Sequence, residues 1–246
     1  MIRGIAMIKI DNFSKTYNKK DYAVYNLNMQ ISDGDICAFV GHNGAGKTTT
    51  LKCLVGILDF SDGDILINNK SIKKDAMACK SELAYIPDTP ELYEHLRGID
   101  YLNFIASVFK VPNELKKELI KKYSDMFEMG AYLNNTIGSY SHGMKQKLSL
   151  IAALIHDPQV IVLDEPFTGL DPISTHNLKV EMKRLAYLGR TIIFSTHILD
   201  VAEKLCNKIA ILKSGMLVYC GEMNELIQNK SLEEIYMEID NNVESI

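Results

Sequence analysis

An apolar run, Ile36-Cys37-Ala38-Phe39-Val40, leads directly into Gly41-His42-Asn43-Gly44-Ala45-Gly46-Lys47-Thr48, and no other stretch limits the fold of this chain so tightly. Glycine, four residues, glycine, lysine and threonine, set between a strand and a helix, is the spacing of a loop that wraps phosphate. Gly41, Gly44 and Gly46 let the backbone curl until successive N–H groups converge on an anion. Lys47 brings a full positive charge within reach of β- and γ-phosphates, and the Thr48 hydroxyl is placed to ligate the Mg²⁺ that travels with a nucleoside triphosphate. A helix expected over Gly46 to Gly56 aims the positive end of its dipole at the same point. The residues expected to hold the nucleotide are therefore Gly41, His42, Asn43, Gly44, Ala45, Gly46, Lys47, Thr48 and Thr49.

Such a loop says nucleotide, but not what the nucleotide is for. Val160-Ile161-Val162-Leu163 reads as a strand buried on both faces, with Asp164 and Glu165 emerging where it ends. An aspartate there holds Mg²⁺ through water, and a glutamate beside it orients or deprotonates the water that attacks a γ-phosphate. Between the two elements lies Tyr140-Ser141-His142-Gly143-Met144-Lys145-Gln146-Lys147, ahead of an apolar helical stretch from Leu148 to Ile155. On the residues alone, Ser141 is a helix cap. The amides exposed beside Gly143 offer a second place for a phosphate brought from outside the chain.

Together, the phosphate loop, the Ser-x-Gly segment before a helix, the strand ending Asp164-Glu165-Pro166 and a later lone His197 resemble the nucleotide-binding subunit of an ABC transporter, over about residues 8–227. In that family the segment at Tyr140–Met144 usually reads Leu-Ser-Gly-Gly-Gln. Only Ser141 and Gly143 match, a variant similar to those of bacterial ABC-2 type exporters. The resemblance implies that Ser141 and Gly143 contact the γ-phosphate of a nucleotide bound to a partner subunit. It implies that Asp171, in Thr168-Gly169-Leu170-Asp171-Pro172, lies in a loop crossing the dimer interface, although Asp171 equally reads as the cap of the following helix. His197, after the buried run Ile192-Ile193-Phe194, resembles the switch histidine that hydrogen-bonds the γ-phosphate. Tyr17 resembles the aromatic that stacks on adenine, with Tyr22 a nearby competitor. At Ala84-Tyr85-Ile86-Pro87-Asp88 the family normally carries glutamine. Asp88 is expected to reach the metal with Thr48 and Asp164, but an ionised carboxylate cannot donate a hydrogen bond to water.

The protein so implied is an ATPase with Glu165, His197 and Lys47 as catalytic groups and ATP and Mg²⁺ as cofactors. One copy of each motif means that a working site takes two subunits, this chain with a second copy or a homologous ATPase subunit, joined head to tail around two nucleotides. The remaining partner implied is an integral-membrane transporter subunit, exporter-like in character, meeting the surface from Thr89 to His95. Two other functions stay open: a soluble ATPase of the same family serving an assembly complex, and an ATP-dependent docking switch that does not hydrolyse.

Composition agrees with a soluble cytosolic subunit, and the resemblance implies that the chain is cytoplasmic, lying peripherally on the cytoplasmic face of the cell membrane. The 246 residues are 47% hydrophobic, enough to fill a sizeable core. A formal charge of −4, from 27 basic and 31 acidic residues without a basic block, argues against nucleic acid as a partner. No stretch approaches the roughly 18 consecutive apolar residues of a membrane helix, and Met1-Ile2-Arg3-Gly4 lacks the apolar core of a signal peptide. Cys37, Cys53, Cys79, Cys206 and Cys220 show no metal spacing and read as reduced thiols.

The expected architecture is α/β: a single domain built on a P-loop NTPase core with a mainly parallel sheet, an N-terminal antiparallel β portion and an inserted α-helical subdomain. Residues 1–88 and 159–221 are assigned to the RecA-like core with its antiparallel portion, 89–158 to the helical subdomain, and 222–246 to a C-terminal helix and tail. Strands are expected at Met7–Phe13, Ala23–Ile31, Asp35–Val40, Asp64–Ile67, Val160–Leu163, Thr191–Ser195, Lys208–Leu212 and Met216–Cys220. Helices are expected at Gly98–Phe109, Pro112–Glu128, Ile173–Leu188, Leu199–Cys206 and Glu222–Asn229. The acidic end, Glu233 to Ile246, reads as a docking segment or a modest helix.

Overall fold

The computed structural model describes residues 6–18 and 20–241. Met1–Gly4 and the last five residues of the acidic end lie outside the described residues. The chain opens with β1 (Ala6–Thr16), β2 (Tyr22–Ser32) and β3 (Ile36–Val40), then α1 (Lys47–Leu54), β4 (Asp62–Ile67) and β5 (Lys70–Ser71). After these come α2 (Ala76–Glu82), β6 (Leu83–Ile86), α3 (Gly98–Val108), α4 (Asn113–Met126) and α5 (His142–Leu154). The remainder alternates: β7 (Val160–Asp164), α6 (Pro172–Tyr187), β8 (Thr191–Thr196), α7 (Leu199–Leu205), β9 (Lys208–Lys213), β10 (Met216–Glu222), α8 (Met223–Leu226) and α9 (Leu232–Asn241).

Two sheets result. The smaller is antiparallel in the order β2-β1-β4-β5, and the larger runs β10-β9-β3-β8-β7-β6, parallel except for the β10 edge. Every residue of β3, β7 and β8 is buried, which is why these strands read as continuous apolar runs rather than alternating ones. The strand period of two divides them between two cores. Cys37, Phe39, Val160, Val162 and Ile193 face the antiparallel sheet and α1, packing with Ile10, Phe13, Leu27, Ile65 and Leu51. Ala38, Val40, Ile161, Leu163, Ile192 and Phe194 face the helices, packing with Leu148, Ile151, Leu178, Met182 and Leu205. Burying a side chain such as Phe39 or Phe194 completely contributes about 1.5–3 kcal/mol relative to leaving it in water.

The segment between β6 and β7 is helical, as expected, and α5 returns it to the sheet. Its outer helix α4 is tied to α6 by the buried Glu181 carboxylate, which accepts from Lys122 Nζ (2.8 Å), Tyr123 Oη (3.0 Å) and the Arg184 guanidinium (2.8 Å). Three short elements escape the sequence reading. Helix α2 buries only Cys79 and so shows no apolar period, β6 is four residues long and mostly buried, and β5 is two residues. Conversely, the helix expected over Glu222–Asn229 is a single turn, α8, continued by the turn bonds Ile227 N–H to the Met223 carbonyl (3.1 Å) and Lys230 N–H to the Ile227 carbonyl (3.2 Å). Of the two readings of the acidic end, its described part is the helix α9, which packs on α7. No helix among the described residues is long and apolar enough to cross a membrane.

The parallel register aligns Val40 with Thr196 and Asp164 with Ser195. The carboxyl ends of β3, β7 and β8 therefore share one edge, where an open α/β sheet presents its ligand crevice.

Candidate active site

At the end of β3 the chain turns through Gly41–Gly46 into α1. A Cβ on Gly41 would stand 2.5 Å from the Leu212 carbonyl oxygen. One on Gly46, where φ is +101°, would stand 2.6 Å from that of Ala23. Only glycine fits between the loop and its neighbours at these two positions. Lys47 is buried, and its ammonium donates to the carbonyls of Gly41 (2.6 Å) and His42 (3.2 Å). Burial lowers its pKa, and the facing Glu165 and Asp164 carboxylates oppose that shift. The ammonium is thus stripped of water and aimed between its own loop and two carboxylates.

The carboxylates come from the next strand but one. Asp164 ends β7 at 1% exposure, and its Oδ1 accepts from Ser195 Oγ (2.5 Å) at the end of β8. The same Ser195 oxygen accepts from the Glu165 N–H (2.9 Å). Ser195 therefore locks both acidic residues at once, a role the sequence reading missed. The signal available was one hydroxyl closing the apolar run Ile192–Phe194, in register with Asp164. Glu165 takes the left-handed backbone, φ +48°, a strained choice for a non-glycine residue that turns its side chain out of the strand line. Its Oε2 stands 3.0 Å from His197 Nδ1.

A cavity of about 230 Å³ gathers Asn43, Gly44, Gly46, Lys47, Thr48 and Thr49 from the loop with Asp88, Asp164 and Glu165. Gly41 and Ala45 shape the loop from behind, and His42 folds onto the backbone, Nδ1 to the Asn43 carbonyl at 2.7 Å. Tyr17 stands at the rim, 65% exposed, its hydroxyl 3.2 Å from Thr49 Oγ1. Tyr22 is engaged elsewhere, edge-on to Tyr25.

The donor set also suits a hard cation. Asp164 Oδ2 is buried with no hydrogen-bond partner, and the Thr48 hydroxyl and Asp88 carboxylate line the same cavity. No three His, Cys, Asp or Glu side chains cluster into a metal cage among the described residues. Mg²⁺ fits such a site, since it keeps several waters and takes one or two carboxylates together with substrate phosphates.

Ser141, Gly143 and Asp171 stand apart from this cavity. Ser141 caps α5, its Oγ accepting from the Met144 N–H at 3.3 Å. Asp171 caps α6, accepting from the Ser174 N–H at 2.8 Å, and is bridged by Lys147 at 2.7 Å. The Lys147 ammonium and the Ser174 bonds hold the Asp171 carboxyl well below the usual carboxylate range. Both residues thus fill the capping role that their sequence context left open.

A family model described as ABC transporter matches residues 24–168. An uncharacterized ABC transporter ATP-binding protein of a Nostoc species is 34% identical over 216 residues, 87% of this chain and 64% of that protein. The glycine betaine/carnitine/choline transport ATP-binding protein of Bacillus subtilis is 33% identical over 230 residues, 92% of this chain and 60% of that protein. The chain spans less than two thirds of the length of these two relatives. A solved structure titled as an ATP binding subunit of an ABC transporter superposes with a TM-score of 0.91 at 29% identity, covering 95% of this chain and 99% of its own.

Proposed function

This chain belongs to the ABC transporter family, and from that premise we propose that it is the ATP-hydrolysing subunit of a transporter, working as a head-to-tail pair beside a separate membrane subunit. One observation carries the reading: Lys47, Thr48, Asp88, Asp164 and Glu165 surround a single cavity, and His197 holds the Glu165 carboxylate from outside it.

The loop amides and the Lys47 ammonium bind the β- and γ-phosphates, and Tyr17 at the rim offers its ring to the base. Thr48, Asp164 and Asp88 would hold Mg²⁺ at this cavity, where the ion would supply positive charge to the phosphates. Glu165 takes the proton of the attacking water. His197 fixes the Glu165 carboxylate and turns toward the γ-phosphate. Ser195 keeps Asp164 and the Glu165 backbone in register. Asp88 contributes a carboxylate where the family usually has a neutral amide, so it accepts hydrogen bonds from water rather than donating them.

The other half of each site comes from Ser141 and Gly143 of the second subunit, and Asp171 lies in the loop that crosses between the two. The helical segment 89–158 is the inserted subdomain that carries this half. A groove of about 620 Å³ beside residues 89–95, lined by Asp88, Glu91, Leu92, Tyr101, Ile105 and Phe109, supports docking of the membrane subunit there, on the cytoplasmic face. The Tyr-Ser-x-Gly-Met segment favours export.

The test is to capture the chain from detergent-solubilised membranes with ATP present and to assay the captured material for ATP hydrolysis. A multi-span membrane protein recovered with an active ATPase supports the reading. Recovery with soluble proteins alone overturns its transport half.

A further inference from the structure

The loop that follows Glu165 meets the tip of α5 at His142. Gly169 in that loop has φ +77°, and a Cβ there would lie 2.8 Å from His142 Cδ2 and 3.2 Å from Nε2, so the imidazole rests directly on the glycine. The approach is mutual, since a Cβ on Gly143 would lie 2.6 Å from the Gly169 carbonyl oxygen. Further along α5, Lys147 grips Asp171 in the same loop.

This loop is stiff between the contact and Glu165. The Thr168 N–H donates to the Glu165 carbonyl (3.1 Å) and the Leu170 N–H to that of Phe167 (3.4 Å). Phe167 is buried edge-on against Phe194, with ring centroids 5.7 Å apart. A push on Gly169 therefore reaches Glu165, whose left-handed backbone is held on its far side by Ser195. Ser141, next to His142, belongs to the half-site for the other subunit's nucleotide.

We propose that His142 is a positioning residue that links the two nucleotide sites of the pair, its ring transmitting the seating of Ser141 and Gly143 through Gly169 to the Glu165 of its own chain. The link rests on the paired arrangement proposed above. It acts by packing rather than proton transfer, because the contact runs along the Cδ2–Nε2 edge of the ring against a residue without a side chain. An alanine at 142 leaves a gap, whereas a phenylalanine fills it.

The experiment measures steady-state ATP hydrolysis against ATP concentration for the full chain and for His142→Ala and His142→Phe. Fluorescent-nucleotide binding to the dilute, unpaired chain and thermal melting are followed alongside. With two linked sites the parent's Hill coefficient should lie at about two, and His142→Ala should lower it toward one. Melting and unpaired nucleotide affinity should hold, since the side chain is exposed and remote from the chain's own cavity. His142→Phe should restore the parent's curve. The link is overturned by a parent Hill coefficient of about one, by a His142→Ala curve equal to the parent's, or by a His142→Phe curve no better than alanine. ATP-induced pairing of Glu165→Gln separates the failures. If that variant does not pair, the paired reading itself falls; if it pairs and the His142 variants change nothing, only the link falls.

Discussion

The tips of α1 and α5 are both helix N-termini suited to phosphate, and they are built oppositely. At α1 the cap is Gly46 in the left-handed region with no side-chain bond, a lysine is buried at the first helical position, and two carboxylates face it across a cavity. At α5 the cap is Ser141, whose side chain is already used by the Met144 N–H, and the first turn carries no acidic residue. The first tip holds opposed charges whose desolvation is costly unless a ligand reconciles them. The second offers amides and one hydroxyl, which still has its own proton to donate. Under the paired reading proposed above, the difference means that one chain contains all of the chemistry but only part of the enclosure. A helix end whose cap is already satisfied gains a function only when something charged is brought to it.

The largest test of this contrast is Glu165→Gln. Turnover should fall by about 10²–10⁴-fold while ATP binding persists and ATP-bound pairs accumulate, measured by phosphate release and by sedimentation. Rapid turnover by this variant would move the chemistry away from the α1 side. Lys47→Ala comes next. Losing an ammonium that bonds phosphate should weaken Mg-ATP binding by roughly 10- to 100-fold, read by calorimetry. Parental affinity would break the contrast.

Ser195→Ala sharpens it. The substitution strands Asp164 Oδ1 and the Glu165 N–H, and it should cost about 1–3 kcal/mol in urea unfolding along with part of the turnover. The smallest effect lies at the far end of α5. His156 stacks on Phe109, with ring centroids 3.7 Å apart, and burial lowers its pKa below the ordinary 6.5. The native state therefore disfavours the charged ring, so its stability is full above about pH 6.5 and declines as the pH drops below that value toward the lowered one. The urea midpoint of the parent should fall more between pH 7 and pH 5 than that of His156→Phe. Equal falls would free His156 of that role.

What the sequence made legible follows the same division. The all-buried strands β3, β7 and β8 announce themselves as apolar runs, and the carboxylates and glycines at their ends need only that placement to converge. Ser195 was not legible, because a hydroxyl that ends a strand gains its role from cross-strand register with Asp164, which no local pattern encodes. Helix α2 and strand β6 were missed for a related reason: an element of four to seven residues shows too little period to read. The contact of His142 on Gly169 joins residues far apart in the chain and depends on a left-handed turn that the isolated motif does not reveal.

In the proposed pair the α1 tip of one chain and the α5 tip of another enclose the same nucleotide, and mixing two defective chains would reveal it. Lys47→Ala spoils the first tip. Ser141→Asp spoils the second by setting a carboxylate against phosphate, while aspartate still serves as a helix cap, so folding is preserved. Each variant alone should hydrolyse ATP slowly. Their mixture should recover activity, since a mixed pair holds one site with an intact α1 tip facing an intact α5 tip. A mixture no faster than the sum of its parts, with both chains folded and mixed pairs present, would overturn the shared enclosure.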